Sequence, residues 1–180
     1  MRIVAGEWRG RTLVAPPGRD TRPTSGRARE GLFSMLLSRL GSFEGLRVAD
    51  VFAGTGALGL EALSRGAAHC TFYEKDRPAL DALESNIARL GAVERADIRA
   101  QSIDHAAPPA RPSDLIMVDP PYASTLAQRA LDRIVAGGWL ADGGWVSLET
   151  AGGELAVPDA LEIDTTRRFG KAHVTLLRAR

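Results

Sequence analysis

Apolar positions along the chain follow two alternating periods. Short apolar runs predict strands at Leu46-Arg47-Val48-Ala49-Asp50-Val51-Phe52, Cys70-Thr71-Phe72-Tyr73, Ile98-Arg99-Ala100, Leu115-Ile116-Met117-Val118 and Gly144-Trp145-Val146-Ser147-Leu148-Glu149. Between them lie segments with apolar positions three or four residues apart. These predict helices through Leu60 and Leu63 to Gly66, from Pro78 to Leu90, and from Leu126 to Val135. Two further runs, Leu161-Glu162-Ile163 and Ala172-His173-Val174-Thr175-Leu176-Leu177, flank the turn Arg167-Arg168-Phe169-Gly170-Lys171 and predict an antiparallel hairpin. Strands alternating with helices imply an α/β fold: a mostly parallel, Rossmann-like seven-stranded sheet with helices on both faces and an antiparallel C-terminal hairpin.

The first 41 residues stand apart from this alternation. Arg2-Ile3-Val4-Ala5 and Thr12-Leu13-Val14 predict a small β-hairpin across Gly6 and Gly10. A helix then follows Thr24 or Ser25, either of which can cap it. Ala28, Leu32, Leu36 and Leu40, with Phe33 and Leu37, form its apolar stripe, and Gly41 sits where a C-cap glycine belongs. The expected division is an N-terminal hairpin and helix over residues 1–41 and a catalytic domain over residues 42–180.

Composition narrows the function classes. At 180 residues the chain can bury one sizeable core, and 44% apolar with 25% charged residues is the balance of a globular protein. No apolar run is long enough to span a bilayer, and Met1 to Glu7 contains no signal-peptide apolar region. The one cysteine, Cys70, lies in an apolar stretch, so a reducing cytoplasm is expected. The three histidines are scattered, and no metal site is expected. The net charge of +1 conceals an asymmetry. Residues 1–47 hold nine arginines against four acidic residues, and the remainder holds 14 basic against 18 acidic residues. A basic N-terminal unit on an acidic body suggests a patch for a polyanion. Trp8, in the glycine-bounded turn beside Arg9 and Arg11, either stacks on a nucleobase or packs the hairpin onto the main body.

Two motifs carry the chemistry. Gly54-Thr55-Gly56-Ala57-Leu58-Gly59 matches G-x-G-x-x-G between a strand and a helix, where glycines and the helix N-terminus make room for a nucleotide. Glu74 ends the next strand twenty positions after Gly54, where a carboxylate can hold ribose hydroxyls. NAD and S-adenosylmethionine both fit that pattern. Asp50 favours the second, because a carboxylate so near the loop repels a pyrophosphate but suits a cationic amino-acid group. The second motif is Asp119-Pro120-Pro121-Tyr122. Its prolines cannot continue a sheet ladder, so the strand ends and turns there. An acceptor carboxylate, exposed carbonyls and an aromatic face then stand together, a set suited to a planar group bearing an exocyclic NH2.

This combination resembles the class I S-adenosylmethionine-dependent methyltransferases that act on amino nitrogens through an (N/D)-P-P-(Y/F/W) motif. The stretches Gly6-x-Trp8-Arg9-Gly10-Arg11-x-Leu13, Arg22-Pro23-Thr24-x-x-Arg27-x-Arg29-Glu30-x-Leu32-Phe33 and Asp50-x-Phe52-Ala53-Gly54 through Gly66 resemble the RsmD family, the bacterial 16S rRNA (guanine-N2)-methyltransferases. The resemblance extends over almost the whole chain. It implies that Asp50, Gly54, Thr55 and Gly56 contact the methionine part of S-adenosylmethionine and Glu74 its ribose, with Ser102 or Asp104 near the adenine. It further implies that Asp119 and Pro120 accept hydrogen bonds from the target amine while Tyr122 stacks on the base. The expected substrate is a guanine N2 in 16S rRNA, within an assembling small subunit, and the expected enzyme is a monomer. Trp8, Arg9, Arg11, Arg22, Arg27 and Arg29 are the expected RNA contacts. A DNA adenine-N6 or cytosine-N4 methyltransferase is the alternative, although 180 residues leave no room for a separate target-recognition region.

Overall fold

The elements form in the expected order in the computed structural model, which describes residues 1–16, 26–121, 125–153 and 155–180. They are α1 (Gly26–Leu40), β1 (Arg47–Asp50), α2 (Ala57–Ser64), β2 (His69–Tyr73), α3 (Arg77–Leu90), β3 (Ala96–Arg99), β4 (Ser113–Val118), α4 (Leu126–Ala136), β5 (Leu140–Thr150), β6 (Leu161–Phe169) and β7 (Ala172–Ala179). The strands make one seven-stranded sheet in the order β3-β2-β1-β4-β5-β7-β6. The first five are parallel, and β7 runs antiparallel to both β5 and β6. From β1 the chain moves outward through β2 to β3, then returns to place β4 on the other side of β1. The crevice at the carboxyl ends of β1 and β4 is therefore the switch point where sheets of this kind take ligands.

Strand alternation divides the core into two layers. Val48, Leu115 and Met117 face a cluster with Leu36 of α1, Leu60 and Leu63 of α2, and Leu83 and Ile87 of α3. Ala49, Ile116 and Val118 face the opposite cluster with Ala130, Leu131 and Ile134 of α4. The third glycine of the loop is required by this packing. A Cβ at Gly59 would lie 2.2 Å from the Phe72 ring and 2.7 Å from Cys70 Sγ, so α2 lies close against β2 only because this position has no side chain.

Several boundaries differ from expectation. β1 ends at Asp50 because Val51 and Phe52 already turn toward the glycine loop, although the Val51 N–H still reaches the Met117 carbonyl at 3.0 Å. β6 extends to Phe169, well beyond the expected Ile163. It is an edge strand paired with β7 alone, and its middle is Glu162, Ile163 and Asp164 followed by Thr and Arg, almost all exposed. An edge strand buries too little to leave an alternating apolar pattern. Leu37, expected in the α1 stripe, is 45% exposed, whereas Met35 is buried.

The N-terminal hairpin is reduced to one antiparallel bridge, Arg2 to Thr12, flanked by hydrogen bonds from the Ile3 N–H to Arg11 O and the Leu13 N–H to Met1 O. It is held by α2 rather than by its own ladder. Glu61, fully buried, accepts the N–H groups of Val4 at 2.7 Å and Ala5 at 3.0 Å. Ser64 accepts the Trp8 N–H and donates to Ala5 O. Gly6, at φ +82°, lies so close to the end of α2 that a Cβ would sit 1.8 Å from Ser64 O. A carboxylate inside the apolar sequence Leu58 to Leu63 was the available sign that α2 receives another chain segment.

Candidate active site

A cavity of about 780 Å³ opens at the switch point and is lined by Asp50, Gly54, Thr55, Glu74, Asp119 and Pro120, among others. The glycine loop and the Asp119-Pro120 strand end, far apart in sequence, thus face one space. Asp50 is the last residue of β1, and β4 beside it delivers Asp119 one residue beyond its end.

Asp50 is 1% exposed. Its Oδ2 accepts the Gly59 N–H at 3.0 Å, and its Oδ1 has no hydrogen-bond partner among the described residues. Burial, reinforced by the nearby Glu74 carboxylate, raises its pKa to about 7 against the opposing backbone N–H groups of Gly59 and Phe52. A buried acid with a vacant oxygen on a cavity wall is a ready partner for a cationic donor.

Glu74 is fixed from both sides. Its Oε2 accepts the Gly54 N–H at 2.8 Å, and its Oε1 accepts the N–H groups of Lys75 at 2.7 Å and Asp76 at 2.8 Å. These bonds set the carboxylate's direction before any ligand arrives. Gly54 and Gly56 take positive φ, +53° and +83°, and Gly56 is the N-cap of α2. Gly56 does not line the cavity; a Cβ there would lie 2.4 Å from Leu83 Cδ1, so its role is packing as well as turning. Thr55, 6% exposed, gives its carbonyl to the side-chain amide of Asn86 at 3.0 Å, and the same amide nitrogen donates to Val14 O.

The two adenine candidates separate. Ser102 lines the cavity, together with Gln101. Asp104 does not; it accepts from Ser102 Oγ at 3.3 Å and pairs with Arg129 at 3.1 Å. Glu149, buried at the end of β5, also lines the cavity and carries no motif that would mark it in sequence.

The expected RNA contacts also divide. Arg9 and Arg11 are exposed, with Arg11 Nη2 donating to Arg89 O. Trp8 is corrected: it is 5% exposed within the core cluster, with the Arg95 guanidinium 4.8 Å from its ring centroid. Of its two sequence readings, packing onto the body is the one realised, because a buried indole has no face left for a nucleobase. Arg29 is corrected as well. At 2% exposed it cannot meet an RNA backbone; it donates to Arg2 O, lies 3.8 Å from Glu61 and lines the cavity. Arg22, Tyr122 and the Arg27 side chain lie outside the described residues.

The chain is similar to known proteins over most of its length. The family model described as conserved hypothetical protein 95 matches residues 1–178. Ribosomal RNA small subunit methyltransferase D of Escherichia coli (strain K12) is 38% identical over 150 residues, covering 83% of this chain and 74% of that protein. The putative rRNA methyltransferase YlbH of Bacillus subtilis (strain 168) is 34% identical over 153 residues, covering 83% and 82%. Among solved structures, the putative methyltransferase yhhF from Escherichia coli superposes with a TM-score of 0.88 at 33% identity, covering 100% of this chain and 98% of that one. A putative methylase from Haemophilus influenzae gives 0.83 at 30% identity, covering 99% and 97%.

Proposed function

The chain belongs to the conserved hypothetical protein 95 family, that of the ribosomal RNA small subunit methyltransferases D, and on that premise we propose that it methylates the exocyclic N2 of one guanine in 16S rRNA. The observation that carries the reading is the shared cavity: the Asp50 and Glu74 carboxylates, the glycine loop and the Asp119-Pro120 strand end line one space. The cofactor is S-adenosylmethionine, which when bound supplies the methyl group as an electrophilic sulfonium. The residues fit it. Asp50 offers a buried, unpartnered oxygen to an ammonium group, Glu74 is pre-oriented for ribose hydroxyls, and Ser102 and Gln101 border the space for a base.

Asp119 and the Pro120 carbonyl accept hydrogen bonds from the guanine NH2. An aromatic amine is a poor nucleophile because its lone pair is delocalised into the ring. Holding both amino protons favours the pyramidal form and points the lone pair into the cavity. Positioning and fixed dipoles supply the rate enhancement, and no strong general base is needed. Tyr122, the next motif residue after Pro121, is assigned to stacking on the base. The target base must leave its helix to reach the site. Arg9 and Arg11 on the exposed N-terminal turn contact the RNA backbone, so that residues 1–41 serve as the RNA-contacting extension of the catalytic domain.

The test is transfer of labelled methyl groups to small subunits from cells lacking the modification, alongside naked 16S rRNA and DNA, with mapping of the product. One labelled guanine N2 in 16S rRNA is the expected result. Label in DNA, or on another atom of the RNA, overturns the assignment.

A further inference from the structure

Arg29 is a buried cation whose partners do not account for it. Its Nη2 donates to Arg2 O, but Nε and Nη1 are buried and have no hydrogen-bond partner among the described residues. Glu61 does not fill the deficit. At 3.8 Å it is beyond hydrogen-bond distance, and its oxygens already accept the N–H groups of Val4 and Ala5 and the Arg65 guanidinium. Burial lowers the Arg29 pKa even with Glu61 nearby, and Arg65 adds repulsion. Guanidinium does not give up its proton in proteins, so Arg29 keeps its charge, and beside the Glu61 ion pair it has two buried nitrogens with donor capacity for a further anion.

That charge borders the cavity in a particular company. The cavity wall carries Asp50, Glu74, Asp76, Asp119 and Glu149. Among the described lining residues the basic side chains are Arg29 and Lys75, and Lys75 is exposed. A carboxylate entering this space is repelled by those acidic side chains and has one buried guanidinium to receive it. Asp50 presents the complementary feature, a buried Oδ1 that makes no hydrogen bond within the geometric limits to any described residue. A buried acid and a buried guanidinium, each with hydrogen-bonding capacity left over and both lining one cavity, match the two ends of an amino-acid zwitterion.

We propose that Arg29 binds the carboxylate of the cofactor's amino-acid end while Asp50 takes its ammonium group. This rests on reading the cavity as the S-adenosylmethionine pocket. It also changes what the N-terminal unit does. Arg29 lies on α1, so the segment expected to grip RNA contributes a wall of the cofactor site, and cofactor binding helps fix that segment against the body.

The test compares S-adenosylmethionine with decarboxylated S-adenosylmethionine, which lacks only the carboxylate, by calorimetric titration of the full chain. The wild-type protein binds the complete cofactor about ten- to a hundredfold more tightly, the range for a charge-assisted hydrogen-bonded pair. Arg29→Gln loses that factor for the complete cofactor and binds the decarboxylated one as before. Arg29 also holds Arg2, so Arg29→Gln is checked for folding by its melting transition. Arg29→Lys, which keeps the charge, serves beside it and reduces the preference without abolishing it. Wild-type binding of both ligands with no preference overturns the inference and leaves the cofactor reading standing. So does an equal loss of both ligands in the variants, the pattern of a merely structural arginine. Wild-type protein that binds neither ligand overturns both readings.

Discussion

The side-chain amide of Asn86 donates to the Thr55 carbonyl oxygen at 3.0 Å, and this bond ties the glycine loop to α3. Asn86 is 1% exposed on α3. Its amide nitrogen also donates to Val14 O at 3.0 Å, and its Oδ1 accepts the Val14 N–H at 2.7 Å. One side chain thereby satisfies three backbone groups from two distant stretches. Asn86→Leu leaves all three without this partner, and a buried group left unpaired costs about 1–3 kcal/mol. A loss of stability of at least that size is expected in urea denaturation, with weaker binding of S-adenosylhomocysteine from the loosened loop. Unchanged stability with unchanged binding would show that the bridge contributes neither.

Asp50 predicts a pH dependence. Its folded pKa of about 7 lies above the usual carboxylate value near 3.8, so the folded chain holds an extra proton between those limits. The acid's contribution is most favourable below about pH 4. It declines as pH rises toward 7, and above 7 the buried charge is fully felt. Asp50→Asn is therefore expected to raise the melting temperature of the ligand-free protein at pH 8 more than at pH 5. The same variant loses affinity for S-adenosylhomocysteine, because the amide cannot neutralise an ammonium group. A ligand-free wild type whose stability, compared with Asp50→Asn, shows no pH-dependent difference would contradict the assignment.

Asp119 separates binding from chemistry. In the proposed mechanism it meets the target amine and not the cofactor. Asp119→Ala should cut kcat by about a hundredfold or more, comparable to loss of one preorganised transition-state group, while calorimetric affinity for S-adenosylhomocysteine stays within about twofold. Wild-type turnover in that variant excludes the role.

Arg9 and Arg11 test the RNA surface. Both are exposed and stand apart from the cavity wall. Reversing both charges (Arg9→Glu, Arg11→Glu) should weaken RNA binding and flatten its salt dependence, since each lost phosphate contact removes about one unit of slope. Cofactor affinity should not change. RNA affinity equal to wild type at low salt places the interface elsewhere.

Gly59 tests the packing of the loop helix. A methyl group there meets the Phe72 ring and Cys70 Sγ at impossible distances, so Gly59→Ala must displace α2 or β2. Overpacking of this kind costs about 1–3 kcal/mol. Denaturation midpoints of the two proteins measure it, and an unaltered midpoint would mean that the helix can shift freely.

Much of the fold was legible in order and type. Strands such as Leu115 to Val118 are buried on both faces and therefore appear as continuous apolar runs. Helices α3 and α4 each lie on one face of the sheet and therefore show the helical period. The edge strand β6 was legible only at its start, because one neighbour and a solvated face leave its sequence polar. The N-terminal hairpin was legible as two short runs and its partners were not; Glu61, Ser64 and Asn86 lie some fifty to seventy positions away.

The sequence by itself determined where the chain must turn. Two prolines stop β4 just before Asp119, glycines shape the loop after Asp50, and both effects arise from backbone geometry that needs no distant partner. What only the tertiary structure decided was the environment of the polar side chains between those points. In sequence Trp8 reads equally as a nucleobase stack or as packing for the hairpin, and Arg29 reads as an RNA contact. Folding α1 and the N-terminal turn against α2 buries both, and it directs Arg29 to the cavity rather than to solvent. Burial of a lone side chain depends on which remote segments close over it, and periodicity along the chain carries no record of those.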